Sequence, residues 1–233
     1  MTDTVDIDFV ALVEGFQQEV VGQRPAAPEH YDTEYFADDW REGDNRYELE
    51  TRRRIEARNP QLIRDLLVDG RVLDMGCGPG FLMLFLQELG VDVDGIDFSG
   101  DVVALAPPEV RDRIRVGPVT EALVEAQAYD LVICREVIEH LTVVQVQKTV
   151  EQICRASKHL VYVTTRFHPA PASLLDFTTQ FDVDPTHITL LNKEFLRVLF
   201  VLQGFRRRAD LEQQMDWGNK DRVLVYERVP QAV

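Results

Sequence analysis

The period of the hydrophobic positions changes along the chain. Near the start, Phe9, Leu12, Val13, Phe16 and Val20 recur at helical spacing, and residues 22–28 then break the pattern with Gly and Pro. This predicts an accessory helix followed by a short linker. Residues 46–58 read as a charged helix. Asn59-Pro60 opens another, with Asn as N-cap, Pro at the first helical position and Gly70 just past its end.

From Arg71 onward short apolar runs alternate with amphipathic ones. Strands are predicted at Val72–Met75, 91–96, Ile114–Val116, 131–134 and 159–165, with a helix over 81–89 closed by Gly90. Thr142-Val143-Val144-Gln145 has the form of a capping box, so a helix should start there and turn Val146, Val150 and Ile153 to the sheet. A helix over 193–203, a strand after Gly204, a turn through Asp216-Trp217-Gly218-Asn219 and a strand over 223–226 complete the chain. The alternation predicts an α/β fold with a parallel sheet and right-handed crossovers, and the last two strands fit an antiparallel pair at one edge.

With 233 residues and 45% hydrophobic content, the chain suits one catalytic unit. Residues 1–45 form an N-terminal helix and linker that could serve as a lid, a homodimer contact or simple packing, and 46–233 form the main domain. The longest apolar runs, 81–86 and 196–202, fall far short of a membrane span, and the first residues are acidic where a signal peptide is basic. A soluble, cytoplasmic protein is expected. Cys77, Cys134 and Cys154 are odd in number and lack C-x-x-C spacing, so they read as reduced thiols in or near the core. Net charge is −15, and residues 1–50 alone carry three Arg against 14 Asp and Glu, which argues against a nucleic-acid partner. Arg206-Arg207-Arg208 reads as a solvated edge strand rather than a phosphate site.

Candidate chemistry begins at Asp74-Met75-Gly76-Cys77-Gly78-Pro79-Gly80. Three glycines at alternate positions, directly after a strand and before a helix, let a ligand lie against the backbone where a Cβ would collide. The spacing is G-x-G-x-G rather than the dinucleotide fingerprint G-x-G-x-x-G. Asp97 ends the next strand, where a carboxylate can accept both hydroxyls of a ribose.

Together with Tyr129-Asp130-Leu131-Val132-Ile133-Cys134-Arg135-Glu136, these motifs resemble the class I S-adenosylmethionine-dependent methyltransferases over roughly residues 46–229. The resemblance implies a Rossmann-like, seven-stranded, mostly parallel sheet with helices on both faces and S-adenosylmethionine over the ends of the first two strands. It implies that Asp74, Gly76, Cys77, Gly78 and Gly80 border the methionine part, Asp97 the ribose and Phe98 the adenine. Arg135 is counted with these cofactor-binding residues. The acidic residue that the family often carries after strand three is met here only by Glu121 or by backbone. Tyr31, Tyr35, Phe36 and Tyr47 either close over the cofactor or pack. Arg53 reads as part of a solvated helix face rather than a partner of the methionine carboxylate.

Methyl transfer from a sulfonium is an in-line displacement, so the acceptor side should hold a base or a metal. His140, His187 and Glu136 are the catalytic candidates, with His168 a third His to weigh. Glu136, Glu139 and His140 at i, i+3 and i+4 would share one helical face, and with His187 could hold Mg, Mn, Fe or Zn. The E-x-x-E-H pattern resembles the metal sites of ubiquinone-biosynthesis O-methyltransferases and of small-RNA ribose methyltransferases. It equally resembles metal-free members in which the His is a general base. The expected function is O-methylation of a small-molecule hydroxyl on a sugar, phenol or other metabolite; the alternatives are an RNA ribose 2'-O-methyltransferase and a non-catalytic cofactor-binding module.

Overall fold

The apolar segments beyond residue 71 line up side by side. In the computed structural model, which describes residues 8–37, 45–178, 184 and 186–230, they are strands β1 (Val72–Met75), β2 (Val93–Asp97), β3 (Ile114–Val116), β4 (Tyr129–Arg135) and β5 (Ser157–Thr164). All four residues of β1 are buried, as a central parallel strand covered on both faces requires. Val72 lies beside Val93 on one side and Leu131 on the other. Strands β6 (Phe177–Thr178) and β7 (Leu190–Leu191) make a separate antiparallel pair, while β8 (Phe205–Arg207) and β9 (Val223–Arg228) join the main sheet. Its order is β3-β2-β1-β4-β5-β9-β8, with β9 antiparallel to both neighbours. The expected seven-stranded sheet with its antiparallel edge pair is therefore present. Strand order reverses between β1 and β4, which opens a crevice beyond the carboxyl ends of the central strands.

Ten helices accompany these strands among the described residues: α1 (Phe9–Gly22), α2 (Thr33–Ala37), α3 (Leu49–Glu56), α4 (Asn59–Leu67), α5 (Phe81–Glu88), α6 (Gly100–Ala104), α7 (Pro108–Arg111), α8 (Val143–Ala156), α9 (Lys193–Leu202) and α10 (Ala209–Met215). Alternate strand residues feed two cores. Val72, Leu131 and Ile133 pack with Ile63 of α4, Phe85 of α5 and Met215 of α10, while Leu73, Val132 and Cys134 pack with Val150 of α8 and Phe200 of α9 on the other face. The capping box forms as expected: Thr142 Oγ1 accepts the Gln145 amide and Gln145 Oε1 accepts the Thr142 amide. No helix among the described residues is long and apolar enough to cross a membrane.

Several local expectations change. Asn59 lies within the first turn of α4, with Arg58 as N-cap, because the Asn59 side chain is committed to the Glu56 carboxylate. Gly70 stands three residues beyond α4 rather than closing it; a Cβ there would lie 2.2 Å from Asp130 Oδ2, which accepts the Arg71 amide. In α1 Leu12, Phe16 and Val20 turn inward, Val13 is 53% exposed, and the Phe9 side chain lies outside the described residues. That helix is fixed at its end by Gln23, whose amide donates to Thr189 Oγ1 and accepts from the Val143 amide. Helices α6, α7 and α10 are too short to show a clear period in the sequence. Arg206 and Arg207 on the edge strand are paired with Glu227 and Glu212, and Arg208, which caps α10, with Asp210. The three cysteines are free thiols, Cys134 and Cys154 buried and Cys77 half-buried.

Candidate functional site

The turn after β1 is tied to the neighbouring strand: the Gly76 and Cys77 amides both donate to the Ile96 carbonyl, at 2.8 and 3.1 Å. Gly76, Gly78 and Gly80 all have positive φ, the left-handed region that glycine enters at no steric cost. Their surroundings differ. A Cβ on Gly76 would meet Val137 Cγ2 at 2.2 Å, and one on Gly80 would press on Ile114 and Val110 at 3.1 Å. A Cβ on Gly78 would meet nothing within 4 Å. Two of the glycines thus accommodate the protein's own packing, and Gly78 presents bare backbone to an open cleft.

That cleft, of about 720 Å³, lies beyond the carboxyl ends of the central strands. Asp97 stands on its wall with Oδ2 accepting the Gly78 amide at 2.8 Å and Oδ1 accepting the Ser99 amide at 3.0 Å. The Phe98 amide also acts on this carboxylate, whose roughly four acceptor positions are not filled by these amides. Asp74 is 2% exposed, and burial, with Glu56 and Asp97 adding to it against the pull of Arg135 and Arg52, pushes its carboxyl up to about 7. Beside it, Glu56 of α3 is buried yet ionised. Burial alone would raise its pKa, but Arg135, Arg52 and the Asn59 amide more than reverse this and hold it at about 2. The contacts are Arg135 Nη1 to Glu56 Oε2 at 3.0 Å and Arg52 Nη2 to Glu56 Oε1 at 2.8 Å. Arg135 lines the cleft with its charge already committed to Glu56.

Aromatic side chains from the N-terminal segment wall the cleft. Tyr31, Tyr35, Phe36 and Tyr47 line it together, Tyr35 and Phe36 edge to face at 5.0 Å and Phe36 and Tyr47 at 4.8 Å. The Ser99 hydroxyl donates to the Tyr31 carbonyl at 2.7 Å, which fastens this segment to the start of α6. Phe98, Pro118, Val119 and Thr120 complete that end. Glu121 is exposed and does not line the cleft. Arg53 also stays outside it, bidentate to Glu88 and lying over the Phe85 ring, as its solvated-face reading expects.

At the other end the E-x-x-E-H segment does not form one helical face. Glu136 has φ 53°, and only Ile138–His140 makes a 3-10 turn, so the helical spacing fails at its first residue. Glu136 and His140 line the cleft; Glu139 does not. Fully buried, Glu139 accepts the Thr165 hydroxyl at 2.7 Å, while its backbone carbonyl accepts the Ile188 and Thr189 amides. Burial, with the Glu136 charge behind it, raises its carboxyl. Among the described residues no three His, Cys, Asp or Glu side chains come together as metal ligands. The donor set therefore does not fit the divalent ion that the spacing suggested, chiefly because Glu139 is turned into the protein.

His187 does come to His140, their rings 4.6 Å apart, and both line the cleft. His168 lies outside it, its Nδ1 accepting the Ala170 amide in a turn. Thr186 lies against His140 and Asp184 near His187, two residues that the motifs did not single out. Thr186 Oγ1 lies 2.8 Å from His140 Nδ1 and donates to Asp184 Oδ1 at 2.6 Å. Their one sequence signal is that they immediately precede His187 in D-P-T-H. Arg166, Lys220 and Arg222 also line this end, with Arg222 Nη1 3.8 Å from Glu136 Oε2. Nothing in the sequence pointed to them, since the elements that carry them meet only in the fold.

Comparison with known proteins agrees with this architecture. The methyltransferase domain family matches residues 34–209, beginning inside the N-terminal segment that walls the cleft. A ubiquinone biosynthesis O-methyltransferase of Bordetella avium is 39% identical over 77 residues, 30% of this chain and 32% of that protein. The chain thus spans about a third of the length of the curated relatives it matches. Among solved structures, a SAM dependent methyltransferase from Archaeoglobus fulgidus has a TM-score of 0.62 at 17% identity, covering 84% of this chain and 99% of that one. The cyclase SpnF has a TM-score of 0.59 at 17% identity and covers 94% of both chains. At these identities the structural likeness speaks to the fold alone. The family match over most of the chain carries the assignment further: the protein belongs to the methyltransferase domain family.

Proposed function

We propose that the protein transfers a methyl group to a hydroxyl oxygen of a small molecule, with His140 as the general base. The observation that carries this reading is that His140 and the Gly78–Asp97 cradle open into the same cleft. S-adenosylmethionine, when bound, supplies an electrophilic methyl group on a sulfonium. The residues present fit it. Gly78 leaves room for a ligand against the backbone, Asp97 has lone pairs to spare for ribose hydroxyls, and Asp74 offers a buried carboxylate to an ammonium. Phe98 and Val119 offer apolar surface to a base.

On the acceptor side, this chain has to hold a hydroxyl in line with the methyl and take its proton as the new bond forms. His140 does the second. The aromatic wall of Tyr31, Tyr35 and Tyr47 suits a ring-bearing acceptor. The net charge of −15 weighs against an RNA acceptor. The local similarity to a ubiquinone biosynthesis O-methyltransferase adds support for oxygen as the accepting atom.

The test is incubation with S-adenosylmethionine and separate panels of catechols, sugars and short RNA. Mass spectrometry should show one added methyl on an aromatic hydroxyl, abolished in His140→Ala. Methylation confined to nitrogen or to RNA, or full turnover in His140→Ala, would overturn the reading.

A further inference from the structure

A base must present a lone pair, and the hydrogen bonds around His140 decide which nitrogen does so. Asp184 is 3% exposed and faces hydrogen-bond donors from α2 and from its own sequence neighbours. Its Oδ1 accepts the Thr186 amide at 2.9 Å and the Thr186 hydroxyl at 2.6 Å, its Oδ2 accepts the Tyr35 hydroxyl at 3.1 Å, and His187 Nε2 lies 3.7 Å from Oδ2. A carboxylate so surrounded is an acceptor only. The Thr186 hydroxyl has a single proton, and Asp184 takes it. What Thr186 Oγ1 then shows to His140 Nδ1, 2.8 Å away, is a lone pair.

Resting on the reading of His140 as base, we propose that Asp184 acts through Thr186 to hold the proton on His140 Nδ1. Nε2 is thereby left as the basic atom, and Tyr35 of the N-terminal segment completes this arrangement. Asp184, Thr186 and Tyr35 are thus positioning residues for His140. The His140–Thr186–Asp184 chain draws on the 3-10 turn after β4 and the loop between β6 and β7, and Tyr35 adds α2. Just beyond Thr186 and His187, Ile188 and Thr189 are held by the Glu139 carbonyl, which accepts their amides at 2.8 and 3.0 Å. This also gives the N-terminal segment a chemical role: displacing Tyr35 removes one of the donors that keep Asp184 in its acceptor state.

The tautomer is measurable without any acceptor. The chain has five histidines, so a nitrogen-15 NMR spectrum of the histidine-labelled apoprotein is tractable, with His140 assigned by its loss in His140→Gln. At about pH 8.5, above the ordinary imidazole range, wild-type His140 should show protonated Nδ1 and unprotonated Nε2. Thr186→Ser should keep that pattern. Thr186→Val should lose it and populate the Nε2–H form, and Tyr35→Phe, a milder change that removes one hydroxyl, should shift the His140 nitrogens in the same direction. Wild-type His140 protonated on Nε2, or a folded Thr186→Val with the wild-type tautomer, would overturn the proposal. If Thr186→Val does not fold, unchanged His140 shifts in Tyr35→Phe would dismiss the Tyr35 arm and the wild-type tautomer would decide the rest. Because no acceptor is present, this outcome is separable from failure of the O-methylation reading, which the product panels decide.

Discussion

Asp97 Oδ2 accepts the Gly78 amide at 2.8 Å, so the end of β2 and the turn after β1 form one hydrogen-bonded unit at the mouth of the cleft. The residue therefore has a structural duty besides any contact with ribose. Asp97→Ala should weaken S-adenosylhomocysteine binding by about 1.5–3 kcal/mol, the range for hydrogen bonds to a charged group, which is roughly a 10- to 150-fold loss. It should also lower the melting temperature by a few degrees, because two backbone amides lose their acceptor. Isothermal calorimetry and a thermal scan measure both, and a folded variant of unchanged affinity would remove Asp97 from the binding site.

The glycines should separate by phenotype. Gly76→Ala drives a Cβ onto Val137 and holds alanine at φ 79°, so it should destabilise the fold by about 2–5 kcal/mol. Gly78→Ala meets no protein atom and should cost only the φ strain, about 1–2 kcal/mol, yet lower cofactor affinity at least tenfold by filling the open cradle. Equal stability losses with equal affinities in the two variants would show that the cleft does not bind its ligand at Gly78.

Asp74 predicts a pH dependence of known sign. Its carboxyl sits at about 7 in the folded protein against an ordinary value of 3.8, so the folded state keeps the proton while the unfolded chain has lost it. Stability from this group is present below pH 4 and is lost as pH rises through 7, a cost on the order of 4 kcal/mol by pH 8. Asp74→Asn should therefore stabilise the apoprotein at pH 8 and flatten the pH profile between 4 and 8. In wild type, binding of the ammonium-bearing S-adenosylhomocysteine near pH 7 should expel part of that proton. Calorimetry in two buffers of different ionisation enthalpy would detect it; identical heats in both would mean that no ammonium meets Asp74.

Glu56 has the opposite sign. Its carboxyl lies at about 2 against 4.5, so its contribution is present above pH 4.5 and is lost as pH falls toward 2. Glu56→Gln should cost about 3–5 kcal/mol in urea unfolding at pH 7, because Arg135 would be left buried without its counter-charge. A cost below about 1 kcal/mol would mean that Arg135 finds another partner.

How much of this was legible in the sequence depended on distance along the chain. The seven strands of the main sheet, the capping box at Thr142 and the turn from β1 into α5 follow from neighbouring residues, so periodicity and turn chemistry were enough to read them, while the short pair β6 and β7 was not read. The pairing of the Gly-rich turn with Asp97 was legible because the two sites end consecutive parallel strands, and parallel register brings such ends together. By contrast, the E-x-x-E-H spacing misled. It presumes a helix, and the chain instead enters the left-handed region at Glu136 to leave β4.

What the sequence determined by itself is the order of the main-sheet strands and the meeting of the Gly-rich turn with Asp97, because each rests on residues a few positions apart or on adjacent strand ends. Only the tertiary structure decided that Glu139 turns inward, that Arg135 answers Glu56 across 79 residues, and that Thr186 reaches His140 across 46. Those contacts join loops and helix ends whose approach is set by packing of the two cores against the sheet. Side-chain pairing at that separation leaves no periodic mark on the chain.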